Sequence, residues 1–430
     1  MIFFKTLNNA LFSMLLMHPL SIVSMQKNDM APSTSLRFRC ARQIQHDLTV
    51  QTKTSADLEQ KLRTDSQAYF NLLQRNNFNP TKALLEIAET GEFDFRIAHD
   101  LLESGALVNA STDQRRTSLM LAAQRDDVAF VTVLLNKNAD ILKKDLIIGN
   151  SALVYAAQSG SVVITKLFLN RDMHVDIMST MFYSTALMEA ARYGCYDVAQ
   201  FLIEKGANVN HTDLSGETPL TSAIRGESWK IVQLLLENGA EKSVNQPIEF
   251  EGETPLIIAC VTNAEIVSLL LKYGAVASHI TTAGKHPLLR AAAYKHKDIV
   301  DVLLKAGQNI NQKNSVNQTA LSIACEGKNL ELVIYLLEHG ADIETKDSSG
   351  QTPLFIAINK KDIPIIQALI AQGANLHAIT NSGETILECA QRISLPVAKN
   401  IRRKMAIETF LAFGNKLPLE VAQLIASFYK

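Results

Sequence analysis

One tryptophan in 430 residues, five cysteines without a CxxC pair, and charges that cancel to −1 set the first limits on this chain. Cys40, Cys195, Cys260, Cys325 and Cys389 are spread along the sequence, so no zinc or thiol-redox motif can be drawn from them. They read as small buried thiols. The 42 Lys+Arg against 43 Asp+Glu leave no basic field of the kind a nucleic-acid binder carries, and no nucleic-acid partner is expected. Nor is there a Walker loop, an HExxH, a GxSxG or a kinase motif set, so neither an enzyme nor a cofactor is expected. His279, His286 and His296 fall close together, but their spacing matches no metal site. After Val23 no stretch is apolar for long enough to span a bilayer.

The first residues, MIFFKTLNNALFSMLLMHPLSIVS, are laid out as an export signal. Lys5 precedes an apolar stretch from Ala10 to Met17, and small residues follow at Ser21 and Ser24. Cleavage after Ser24 would give a secreted protein. An uncleaved anchor over Ile2–Val23 is the alternative, and the only membrane contact the sequence offers. Residues 25–80 then read as a linker, followed by an amphipathic helix over Ala56–Asn77. Its apolar positions are Leu58, Leu62, Tyr69, Leu72 and Leu73. The stretch is too short for a separate enzyme domain and fits an N-terminal cap.

What the sequence has in abundance is an internal repeat. Segments of the type Thr-Pro-Leu-x-x-Ala start at Lys82, Thr117, Ser151, Thr185, Thr218, Thr254, His286, Thr319, Thr352 and Thr385, 32 to 36 residues apart. Each opens a short helix, with the hydroxyl as N-cap and Pro suited to the first turn. A second, more apolar helix follows, as in KIVQLLLENGA, and ends on Gly, the expected left-handed cap. One such pair cannot bury both its faces alone; stacking joins the Ala and Leu stripes into one long core. Cys260 and Cys325 both lie six residues after their capping position and two repeats apart. Stacked helices put them roughly 16–20 Å apart, beyond the ~7 Å a disulfide tolerates between Cα atoms.

The pattern D-x-x-G-x-T-P-L-x-x-A-A followed by L-L-x-x-G-A resembles the ankyrin repeat. DLSGETPLTSAI (Asp213–Ile224) and DSSGQTPLFIAI (Asp347–Ile358) are its best copies. The resemblance implies an all-α solenoid over residues 81–395, with β-hairpin fingers along one edge. It also implies a monomeric scaffold that binds a protein through its fingers and concave face. Several finger tips are apolar where polar residues are usual. Ile147 and Ile148 stand in the third repeat, Met181, Phe182 and Tyr183 in the fourth, Leu214 in the fifth, Ile248 and Phe250 in the sixth. They form either a contact ridge or side chains tucked onto a neighbouring finger.

Residues 396–430 are expected to form a C-terminal helical cap, with one helix over about Pro396–Phe413 and another from Leu417. LPLEVAQLIASF (Leu417–Phe428) resembles the first helix of an F-box. An ankyrin array ending this way resembles the host-range ankyrin proteins of poxviruses and ankyrin proteins of host-associated bacteria. That resemblance implies docking to a Skp-type adaptor of a cullin ubiquitin ligase through Leu417, Pro418, Leu419, Glu420, Ile425 and Phe428. A full F-box needs two further helices, whereas a greasy end helix suffices to close a solenoid.

Overall fold

Short helices, many with a capped start and a glycine just past the end of the pair, recur along the described residues. The computed structural model describes residues 68–91, 95–248, 252–281, 284–392 and 398–412. Among them are twenty α-helices described in full, a further helical segment over 68–75 and one 3-10 helix, and no extended strand. The fifth repeat shows the unit. Thr218 Oγ1 accepts from Thr221 N (3.3 Å), and Pro219 fills the first turn. In the inner helix Pro219–Arg225, six of seven residues are buried. The outer helix Trp229–Glu237 buries Ile231, Val232, Leu235 and Leu236 and leaves its other face to water. At its end Gly239 takes φ 97°, where a Cβ would clash with the neighbouring carbonyl. Each fully buried Leu or Ile contributes roughly 2 kcal/mol, so the two-helix unit becomes stable only when neighbours cover both faces.

The described residues fall into two compact units. One runs to Ser159 and includes Lys166–Met173; the other comprises Gly160–Thr165 and the chain from His174 onward. In the first, a helical segment over 68–75 buries Tyr69, Leu72 and Leu73. Asn79 then caps the helix Pro80–Thr90. The helix ends at residue 75, before the expected Asn77, where the chain turns; residues 56–67 of that expected helix, and the export signal, lie outside the described residues.

Consecutive repeats are stapled by a side-chain ladder that the sequence reading did not anticipate. A polar side chain after one outer helix accepts a backbone N–H from the corresponding loop of the next repeat. In the first unit Asn109 accepts from Asp140 N (2.8 Å). In the second, Asp176 accepts from Asn208 N (3.1 Å), Asn245 from Val276 N (2.7 Å), Asn311 from Asp342 N (2.8 Å) and Glu344 from Asn375 N (2.7 Å). Each bond satisfies a loop amide that neither helix can reach.

The fingers depart from the expected β-hairpins. Among the described residues only isolated bridges occur, at Ser111–Thr117, Lys144–Ser151 and Ile379–Thr385. The reason is local. The Asp of the D-x-x-G motif draws the finger's amides onto its own carboxylate, as Asp213 does with Ser215 N (2.8 Å) and Glu217 N (2.9 Å). Such turns, with Ser179 in the same place in the fourth finger, close each finger so tightly that at most a single bridge fits.

Among the described residues Cys195, Cys260, Cys325 and Cys389 form no disulfide, and burial pushes the Cys260 and Cys325 thiols up. The helix Ala398–Ala412 occupies most of the expected Pro396–Phe413, with Ile401 buried. Within it Lys404 donates to the Ile370 carbonyl (2.6 Å) at the C-terminal end of the helix Ile363–Ala371, where a cation is favoured. No helix among the described residues is long and apolar enough to cross a membrane.

Candidate partner-binding surface

In the first compact unit the third finger is built around Asp145. Its buried carboxylate accepts from the amides of Ile147 (2.8 Å), Ile148 (2.9 Å), Gly149 (3.1 Å) and Asn150 (2.9 Å), and from the Tyr155 hydroxyl (3.0 Å). Burial by itself would raise this acid; the amides of Ile148, Gly149 and Asn150 and the Tyr155 hydroxyl outweigh it and hold its pKa below the usual value. Tyr155 is pushed up to about 12, by burial first and then by the Asp145 charge. The Arg116 guanidinium lies over its ring at 5.3 Å. This anchor presents Leu146 and Ile147 to solvent, while Ile148 is half-buried. Leu146 N donates to Gln114 O (2.8 Å), which ties the tip to the second finger.

In the second unit Met181, Phe182, Tyr183 and Leu214 are 45% to 53% exposed. The fourth and fifth fingers run side by side. Leu214 N donates to Phe182 O (3.0 Å), and His211 Nε2 donates to Tyr183 O (2.7 Å). The fourth finger has no Asp at its base; Ser179 Oγ takes the Ser184 amide instead (3.0 Å). From Ile177 to Met188 the chain carries no charged residue. The carboxylate nearest in sequence to Leu214, Asp213, is buried and bonded within its own turn. The result is an uncharged apolar tip.

The sixth finger is different. Ile248, expected at the tip, is buried, because its N–H bonds Glu253 O and its carbonyl accepts from Gly252 N (both 3.0 Å), folding it inward. Phe250 lies outside the described residues, as do Leu417, Pro418, Leu419, Glu420, Ile425 and Phe428.

The inner-helix face of the second unit behaves in the opposite way: it is charged, but the charges answer one another. Glu217 stands between Arg192 (2.5 Å) and Arg225 (2.8 Å). Glu253, 3% exposed, takes both Lys285 (2.6 Å) and Arg290 on one oxygen. Farther along, Lys360 pairs with Glu326 (3.1 Å) and Arg392 with Glu384 (2.9 Å). A recurring geometry underlies this. The residue before the capping position reaches the one eight places on, as in Glu217–Arg225, Gln318–Glu326 and Glu384–Arg392. Sequence reading missed it, although the eight-residue spacing was there to be found.

The histidines of the seventh repeat have separate tasks. His279 Nε2 faces Gly252 O (3.1 Å), and buried His286 accepts the Leu288 amide on Nδ1 (3.3 Å). Among the described residues no group of three or more His, Cys, Asp or Glu is placed to hold a metal ion.

The family model described as "Ankyrin repeats (3 copies)" matches residues 84–180, 119–213, 153–246, 242–314 and 288–380. A 95-residue stretch, 22% of the chain, is 35% identical to transient receptor potential cation channel subfamily A member 1 of Homo sapiens. Another of 101 residues, 23% of the chain, is 36% identical to an ankyrin repeat protein, FPV031, of Fowlpox virus (strain NVSL). These stretches span only 8% and 29% of the two relatives' own lengths.

Proposed function

The chain belongs to the ankyrin repeat family, and on that premise we propose that it is a non-enzymatic scaffold that binds a protein partner chiefly through the tips of its fourth and fifth fingers. The observation that carries this reading is the exposed, uncharged group Met181, Phe182, Tyr183 and Leu214. Apolar side chains exposed next to one another mark contact surfaces more often than lone ones do. The inner-helix face supports it by contrast: its ion pairs leave little unanswered charge for a partner to read.

The test is a double substitution, Phe182→Ser with Leu214→Ser, in the full chain. Both side chains are about half exposed, so the folding cost stays near ~0.5 kcal/mol. Proteins captured by the wild-type chain and identified by mass spectrometry should be lost from the variant, while its melting temperature holds. A large fall in melting temperature would mean that the two side chains are packing groups, and the finger reading would go with it.

The fourteen C-terminal residues favour a second role. The Leu417-Pro418-Leu419-Glu420 start followed by Ile425 and Phe428 supports docking to a Skp-type adaptor, with the repeats choosing the target. The layout around Lys5 and Ala10–Met17 supports export as its setting, with host proteins as the partner pool. Ending the chain at Lys416 should abolish co-purification of a Skp-type protein and leave finger-dependent capture intact. A chain that never co-purifies such a protein removes the adaptor role alone.

A further inference from the structure

Two residues before each capping position, the fingers of repeats two to ten all turn through positive φ. Six of them place glycine there, with φ from 65° to 85°. Asn317 takes φ 60°, which an Asn tolerates, and Arg115 takes φ 57°. Tyr183 does so at φ 61°, the one aromatic in this slot. A bulky side chain in this region strains the backbone. Packing offers little in return, since Tyr183 is nearly half exposed. Strain of this kind persists where surroundings enforce it, and it gathers at functional positions. Here the enforcement is visible: His211 Nε2 holds the Tyr183 carbonyl, and Leu214 N holds the adjacent Phe182 carbonyl.

We infer that Tyr183 is a recognition residue whose ring, together with Met181, Phe182 and Leu214, takes up an apolar, uncharged segment of a protein partner. The inference rests on the finger reading above. The chemistry of the partner follows from the surface. A charged segment would find no counter-charge between Ile177 and Met188, and Asp213 is turned into its own loop. The two bonded tip carbonyls shift recognition onto side chains, away from a strand added along the edge. Tyrosine suits the task, offering a large contact area with few rotatable bonds.

The probe is a displayed random-peptide library, panned on the immobilised full chain. Tyr183→Gly should raise the melting temperature by roughly 2–4 °C, because the strained slot relaxes. The same substitution should weaken the enriched peptides, rich in Leu, Ile, Met and Phe, by about 10-fold or more. Tyr183→Phe should retain them. Arg115→Gly relaxes the same slot in another finger and should stabilise the chain without releasing a single clone. A library yielding no clone that prefers wild type over Tyr183→Gly overturns the inference. If clones are lost on Phe182→Ser and kept on Tyr183→Gly, the inference fails and the finger reading stands. Clones indifferent to both sink the two together.

Discussion

Replacing His286 by Thr should make the protein markedly less sensitive to acid. His286 stands where other repeats have their capping Thr, and it is 3% exposed. Burial depresses its pKa to about 4, against an ordinary value of 6.5. Its Nδ1 accepts the Leu288 amide, so the ring is neutral when the helix is capped. A proton there would break that bond and put a cation at the positive end of a helix. The unfolded chain therefore binds the extra proton more readily than the folded one. The stability contributed by neutral His286 is complete above pH 6.5, declines below it, and is gone once the pH passes below about 4. The loss should reach about 2 kcal/mol by pH 5. Thr has no such proton, and its hydroxyl supplies a cap worth about 1 kcal/mol. Urea midpoints at pH 7.5 and 5.0 decide the matter. The acid shift should be clearly smaller in His286→Thr; equal shifts would show that His286 does not set the acid response.

Glu253→Ala should be among the most damaging single changes in the second unit, costing about 3–5 kcal/mol. The carboxylate is almost wholly buried, and one of its oxygens receives both Lys285 Nζ and Arg290 Nη1. Lys285 can turn outward, since its side chain is 36% exposed, but that of Arg290 is only 18% exposed. Its Nε is already buried without a hydrogen-bond partner. Removing Glu253 strands this cation, and an unpaired buried charge costs far more than the pair contributes. The double change Glu253→Leu with Arg290→Met should recover most of the loss. Denaturant unfolding of the single and double variants provides the measurement. A single variant within ~0.5 kcal/mol of wild type would mean that water, not Glu253, compensates Arg290.

These two sites were visible to different degrees before the fold was known. That His286 occupies a capping slot followed from the repeat register, because capping is decided within three or four residues. That it is buried and acid-sensitive did not, since burial depends on what the neighbouring repeats lay over it. Glu253 looked like any acid before a Thr-Pro. Its partners lie 32 and 37 residues on, at a distance in sequence that only stacking closes. The finger tips show the same division. Ile147, Ile148 and Ile248 were alike as apolar residues near a tip, yet the first is exposed, the second half-buried and the third buried. Which way each points is set by the amides its own turn captures.

The amino-acid sequence alone determined the repeat length, the helix pairs with their capped starts and glycine stops, the unbridged Cys260 and Cys325, and hence the family. All of these rest on interactions within a repeat or on the period itself, so a one-dimensional reading reaches them. Tertiary structure alone decided that His211 holds the Tyr183 carbonyl, that Glu217 meets Arg192, and that Glu253 meets Lys285 and Arg290. Those outcomes depend on side chains about one repeat apart being brought within 3 Å, as His211 is to Tyr183. No local rule in the sequence specifies such a meeting.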